Sequence, residues 1–205
     1  MPVLFYKPED SYLRKKYNIP TNRIILVYAG RISVDKNILD LAKIYNILSF
    51  FKPEKYHLVV IGSGHLENKF FKKLKGNFTY LGYIKDKKEY AEVLSACDIF
   101  ITTSKIETFG LSLVEAQACG LPVVAYKSSS IPEVVYNKEL LAESYDDFVK
   151  NVEIASNYYL QKSKRHRLSE EIRKSFLWEK TFKNLVSVYR EISLDNNVLQ
   201  SSPSV

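Results

Sequence analysis

Short apolar runs and longer amphipathic stretches alternate along the chain from residue 24 onward. The runs IILVYA (24–29), YHLVVI (56–61), NFTYL (77–81), DIFIT (98–102) and PVVAY (122–126) are rich in Ile, Val, Phe and Tyr, as buried strands are. Between them, apolar positions recur at helical spacing over 37–51, 65–75, 86–97 and 110–119. Such alternation predicts βαβ units, and hence an α/β fold built on a doubly wound parallel sheet with helices on both faces. A weaker run at 139–142 adds a sixth strand.

After residue 143 only helical patterning remains. SYDDFVKNVEIASNYYLQKS opens on Ser144 as an N-cap, with Asp146 and Asp147 in the first turn, where they favour the helix dipole. A last helix, 178–194, carries Trp178, Phe182, Leu185, Val186, Tyr189 and Ile192 along one side and needs a surface to pack on. The following DNNVLQSSPSV loses both period and hydrophobicity and is expected to be disordered. The expected organisation is a connector over 1–23, closed by Pro20 and Asn22, a Rossmann-like domain with a C-terminal helical extension over 24–194, and a tail over 195–205.

With 205 residues, 46% of them hydrophobic, the chain has enough apolar material for one large domain or two small ones. Its 30 Lys and Arg against 23 Asp and Glu give a net charge of +7, which is compatible with a phosphate, a nucleic acid or a membrane surface and does not choose among them. Lys72, Lys73, Lys75 and the run KSKRHR (162–167) read as solvated helix faces rather than a nucleic-acid site. Cys97 and Cys119 lack CxxC spacing and companion histidines, so they read as small reduced core residues, and no metal site is expected. No apolar run nears the roughly 20 residues of a membrane span, and the N-terminus lacks the pattern of a signal peptide. The expected location is the cytoplasm.

In a parallel α/β sheet, ligands bind beyond the carboxyl ends of the strands. After the first strand, AGRISVDKN offers Gly30 for a tight exit, the forked donor Arg31, the point charge Lys36 and a helix start at Asn37. These residues form a candidate diphosphate clamp; the competing reading makes Arg31 and Lys36 surface charges, one of them paired with Asp35. After the second strand, GSGHLENKF has Glu67 where a dinucleotide fingerprint needs its third glycine, which disfavours a nicotinamide site and leaves a tight turn at Gly62 and Gly64, with His65 an ordinary turn residue. After the third strand, Gly82, Tyr83, Ile84 and Lys85 offer backbone groups and a flat apolar edge. After the fourth comes ETFGLSLVEAQACG, in which Gly110 starts a helix, Glu107 precedes it and Glu115 falls in its second turn. A glutamate among Leu113, Val114, Ala116 and Ala118 is costly to bury without partners, and carboxylates are natural acceptors for sugar hydroxyls.

Together AGR…K, YLGYI, the paired glutamates of ETFGLSLVE, the following small-residue run into PVV, and IPEVV resemble the C-terminal nucleotide-sugar domain of GT-B glycosyltransferases, in particular the retaining family 4. The resemblance runs from about residue 5 to the helix at Trp178. It implies that Arg31 and Lys36 bind the donor diphosphate and stabilise its developing charge. Glu107, with Thr108, Phe109 and Gly110, would hold the transferred sugar, and Leu111 would line the diphosphate end of the helix. Glu115 would accept from the ribose, Tyr83, Ile84 and Lys85 would border the base, and Gly62 would leave room for the nucleotide. It implies no cofactor and no metal beyond the nucleotide-diphosphate sugar itself. One departure is KSSSIPEVV, where Ser128, Ser129 and Ser130 replace the family's usual Gly pair.

A GT-B enzyme needs two such domains, and this chain has room for one, so the expected function is donor binding for glycosyl transfer, with little transfer by this chain alone. Its expected partner is an N-terminal acceptor domain or separate subunit. The alternative is a non-catalytic nucleotide-binding or interaction module. The stripe of the last helix adds two further expectations, a homodimer or docking through that helix and, from lipid-linked acceptors among relatives, peripheral contact with the inner membrane face.

Overall fold

A computed structural model describes residues 11–200. Six parallel strands, β1 (Ile24–Ala29), β2 (Tyr56–Ile61), β3 (Phe78–Gly82), β4 (Ile99–Thr102), β5 (Val123–Tyr126) and β6 (Leu141–Ala142), form one sheet in the order β3-β2-β1-β4-β5-β6. The order changes direction between β1 and β4, and this is the switch point beyond which doubly wound sheets open a crevice. β1 and β2 pair along their full length, from Ile24 opposite Tyr56 to Ala29 opposite Ile61.

Alternation along each strand divides the core in two. Ile25, Val27, Val59 and Phe100 face one side, beneath α4 (Lys87–Ser95), α5 (Leu111–Ala118) and α8 (Lys162–Ser175). Leu26, Tyr28, Leu58, Val60 and Ile99 face the other, beneath α2 (Ile38–Phe51), α3 (Glu67–Lys73) and α7 (Tyr145–Ile154). Each fully buried Leu, Ile or Val contributes about 1.5–3 kcal/mol, so both faces must stay covered. Ser144 caps α7 through a capping box: its hydroxyl accepts from the Asp147 amide at 3.1 Å and its own amide donates to the Asp147 carboxylate at 3.1 Å. A short helix, α6 (Ile131–Val134), and a 3-10 turn (Lys138–Leu140) precede β6, and α7 ends in a π-helical turn (Ala155–Tyr159).

Two boundaries differ from expectation. The connector is part of the domain from α1 (Ser11–Lys16) onward: Leu13 and Ile19 are buried in the core, and Arg14 forks both NH2 contacts onto Asp98 at 2.9 and 2.8 Å. At the other end, α9 (Trp178–Gln200) carries the helix through 195–200, residues expected to be disordered. No Gly or Pro stands between Trp178 and Gln200 to stop it. Residues 201–205 of that tail, and 1–10 of the connector, lie outside the described residues. Along α9, Leu185, Val186, Tyr189 and Ile192 of the stripe are exposed.

Asp98 is the centre of a buried charge cluster at the amino end of β4. Besides Arg14 it receives the Ile25 amide at 2.7 Å and Arg165 of α8 at 3.4 Å. The spare donors of both arginines end on carbonyls, Arg14 on Ala96 at 2.9 Å and Arg165 on Cys97 at 2.8 Å. Removing the carboxylate leaves two guanidinium groups buried without a counter-charge. Asp98→Ala is therefore expected to lose about 3–5 kcal/mol in urea denaturation; a loss below about 1 kcal/mol would show that the cluster does not hold the termini.

His57 in β2 is buried, with Nε2 2.9 Å from Thr79 Oγ1 and Nδ1 unpartnered among the described residues. Burial, and then the nearby charge of Arg23, lowers its pKa from 6.5 to about 4. The unfolded chain then binds the proton more readily between those values, so stability is full above pH 6.5 and falls as the pH drops toward 4. Urea titrations across this window should show a loss on the order of 3 kcal/mol that His57→Gln lacks; parallel curves for the two proteins would refute it.

Candidate functional site

The loops after β1 and β2 run on past the strands as a second layer of pairing. The Gly30 amide donates to the Ile61 carbonyl at 3.0 Å, Ile32 to Ser63 at 3.0 Å, and Gly62 to Gly82 at 2.7 Å. A Cβ on Gly62, whose φ is +120°, would lie 2.0 Å from the Gly30 carbonyl oxygen. A Cβ on Gly64 would lie 2.3 Å from that of Ile32. Gly62 was expected to leave room for a nucleotide; its missing side chain is required first by the neighbouring loop.

Beyond this layer lies a cleft of ≈ 450 Å³. It brings together Gly30, Arg31, Gly62, Tyr83, Ile84, Lys85 and Glu115, which the sequence singled out from four separate loops and helices. Sequence reasoning missed Lys87, Tyr90 and Ser112, which also line it. Their signal is helical spacing: Lys87 and Tyr90 are three residues apart on α4, as are Ser112 and Glu115 on α5. Glu115 is half-buried and shares the cleft wall with Tyr90; burial raises its pKa, while Lys87 and Tyr90 pull it down. Tyr90 is held protonated by its own burial and by the Glu115 charge.

Lys36, Glu107, Thr108, Phe109, Gly110 and Leu111 stand outside the walls of this cleft, around the amino end of α5. Lys36 and Glu107, expected to hold different parts of one ligand, bind each other: Nζ lies 2.7 Å from Oε1, with side chains 19% and 13% exposed. Arg31 is exposed and sits 3.7 Å from Asp35, the pairing of the competing reading. The two groups adjoin over Tyr28, whose hydroxyl donates to the Arg31 carbonyl at 2.7 Å and whose pKa is raised by burial and then by Glu107. Gly110, at φ +79°, turns the chain into α5. Phe109 meets the edge of Phe176 at 5.9 Å, and Leu111 is exposed. Among the described residues no group of three His, Cys, Asp or Glu side chains gathers that could hold a metal, and no helix is long and apolar enough to cross a membrane.

Residues 10–175 match the family of glycosyl transferases group 1. The chain belongs to this family. An uncharacterized glycosyltransferase of Methanocaldococcus jannaschii is 29% identical over 195 residues, which make up 90% of this chain and 48% of that protein. In fold, the group 1 domain described here resembles the crystallised C-terminal domain of a group 1 family protein from Francisella tularensis, with a TM-score of 0.67 at 21% identity over 85% of this chain and 95% of that one. It also resembles Anabaena HepE, solved in complex with UDP and glucose, with a TM-score of 0.68 at 19% identity over 88% of this chain and 52% of that one. The chain thus spans about half the length of such relatives, 48% and 52% in these two.

In this group 1 domain the serine run after β5 is a latch on the Glu107 loop. Ser129 and Ser130 donate to the Glu107 carbonyl at 2.7 and 2.8 Å, and Ser128 donates to that of Lys105 at 2.8 Å. Ser129 does so at φ 52°, in the left-handed region that suits glycine. The hydroxyls therefore offset a backbone strain that a Gly pair would not carry. Ser129→Ala, which keeps the strain and loses the bond, should be less stable than Ser129→Gly by about 1 kcal/mol in thermal denaturation; equal stability of the two would remove the strain from the account.

Proposed function

We propose that this chain is the donor-binding half of a retaining glycosyltransferase, and that a nucleotide-diphosphate sugar is its ligand. The observation that carries the reading is the cleft itself, whose walls hold Arg31, Lys85 and Lys87 together with one carboxylate, Glu115, at the switch point of the sheet. A ligand with a diol at one end and a diphosphate in the middle matches that pairing of acceptor and cations. The UDP held by HepE is a ligand of this class.

In this reading Glu115 accepts from the ribose hydroxyls, and Tyr83, Ile84 and Lys85 border the base. Arg31 and Lys36, with the amino end of α5 behind Gly110, face the diphosphate. When the bond between sugar and diphosphate breaks, charge grows on the leaving oxygen, and these fixed donors lower its cost. Lys36 then exchanges part of its contact with Glu107 for the phosphate, which frees the Glu107 carboxylate to accept from sugar hydroxyls. The acceptor would be held by the other half that relatives of twice this length carry. Tyr83 of the cleft wall is exposed, and so are Val34, Ile106 and Leu111 in the segments that follow β1 and β4, apolar surface on which that half would close.

Calorimetry with UDP, GDP and ADP and their sugars tests the reading. One base series should bind, and Glu115→Ala or Arg31→Ala should weaken it at least about tenfold, the value of one charge-assisted hydrogen bond. Unchanged affinity in both variants would overturn the site assignment.

A further inference from the structure

We infer that Ser104 and the run Ser128–Ser130 are positioning residues for the Glu107 carboxylate, and through it for the sugar that a nucleotide donor carries. The inference rests on the proposed role of Glu107 and adds to it the device that places this carboxylate before a ligand arrives.

Glu107 ends the short loop 105–107, in which Lys105 and Ile106 are exposed and Glu107 is half-buried. The carbonyls of this loop accept from serine hydroxyls and from no backbone amide of the described residues. Ser128 donates to Lys105 at 2.8 Å and Ser104 to Ile106 at 3.0 Å. Ser129 and Ser130 both donate to Glu107, at 2.7 and 2.8 Å, and the Glu107 amide returns a longer bond to Ser129 Oγ at 3.4 Å. A segment whose carbonyls have no backbone partners takes its shape from the side chains that meet it.

Ser130 shows the purpose of these hydroxyls. It stands at the N-cap of α6, where a serine ordinarily turns its oxygen to the first free amides of the helix. No such capping bond forms, and the hydroxyl donates to the Glu107 carbonyl instead. The partner of Glu107 is also held through its backbone. Its carboxylate meets Lys36 Nζ at 2.7 Å, and buried Thr103 donates to the carbonyl of Asn37, the next residue along, at 2.9 Å. Two fixed backbones thus set the contact between two rotamer-rich side chains, so less freedom remains to be lost when a ligand binds. A diphosphate would meet Arg31, Lys36 and the amino end of α5, none of which these serines bind. Loss of a serine hydroxyl is therefore felt by the sugar and not by the diphosphate.

Ser130→Ala tests this, because Ser130 holds an ordinary backbone, φ −77° and ψ −4°, that alanine also adopts. Calorimetry is run with UDP, GDP and ADP, each alone and carrying a hexose, and the series that wild type binds is followed through the variants. Ser130→Ala should weaken the sugar nucleotide about tenfold and leave the parent diphosphate within about twofold. Ser130→Thr, which keeps the hydroxyl, should bring the sugar nucleotide back to within about twofold of wild type. Ser128→Ala acts through the Lys105 carbonyl, should repeat the selective loss, and carries the test if Ser130→Ala does not fold. Equal weakening of both ligands, weakening of neither, or failure of Ser130→Thr to restore the sugar nucleotide overturns the positioning role. Glu107→Gln is run beside these. If it weakens the sugar nucleotide selectively while the serine variants do not, the role of Glu107 stands and the positioning role falls alone. If Glu107→Gln changes neither affinity, the role of Glu107 fails and the inference fails with it; if no series binds wild type, donor binding itself is refuted together with both.

Discussion

Asp98 accepts from two guanidinium groups and a backbone amide, and each donor arrives from a different region of the chain: α1, β1 and α8. Two charges of one sign and one of the other, taken out of water together, are tolerable only when every remaining donor is met. The carbonyls of Ala96, Cys97 and Gly120 meet them. The cluster therefore has a geometric consequence beyond its energy. It fixes α1 and the start of α8 at the amino end of the central strands, opposite the carboxyl ends of β1 and β4.

At the open end, precision comes from backbone rather than from side chains. The loop after β2 touches the loop after β1 so closely that Gly62 and Gly64 admit no Cβ. Arg31 is thereby displayed from a short, paired segment although its own side chain is solvent-exposed. The half-buried groups behave differently. Lys36 and Glu107 are a matched pair in which each member supplies what burial takes from the other, and Glu115 shares its wall with Lys87 and Tyr90. Exposed Arg31 is free to follow a ligand, and the matched pair is already placed.

Much of this was legible in the sequence. Continuous apolar runs marked every central strand, since strands covered on both faces need no alternation, and a strand's successor residues identified Gly30, Arg31, Tyr83, Ile84, Lys85 and Glu115 as neighbours. What was not legible were pairings that depend on distance along the chain. Arg14 and Asp98 are 84 residues apart and Lys36 and Glu107 are 71, and no local pattern links either pair. Each residue has a satisfactory local reading: Arg14 as one of several basic residues in a connector, Asp98 as the polar edge of a strand. Tyr90 escaped because a tyrosine at helical spacing reads as core, and it is core on one side of its ring. The end of α9 escaped for another reason, since polar composition argues against packing and does not argue against helix.

The charge of the site decides between two classes of ligand. The carboxylates near the cleft each have a cation close by: Glu107 has Lys36, Asp35 has Arg31, and Glu115 has Lys87 on the same cleft wall. Lys85 is the cation of the cleft wall that these pairs leave over, and the contact of Arg31 with Asp35, at 3.7 Å between exposed side chains, is weak enough to be exchanged. A neutral sugar or nucleoside would leave that excess positive charge unanswered, whereas a diphosphate answers it, taking the exposed Arg31 from a weak contact and only part of the Lys36 contact with Glu107. The paired charges cancel their own fields, so attraction toward an anion falls to the residues that are cheapest to move. Under the proposed reading, that division lets the site be rigid where it reads the ribose and adaptable where it meets the phosphates.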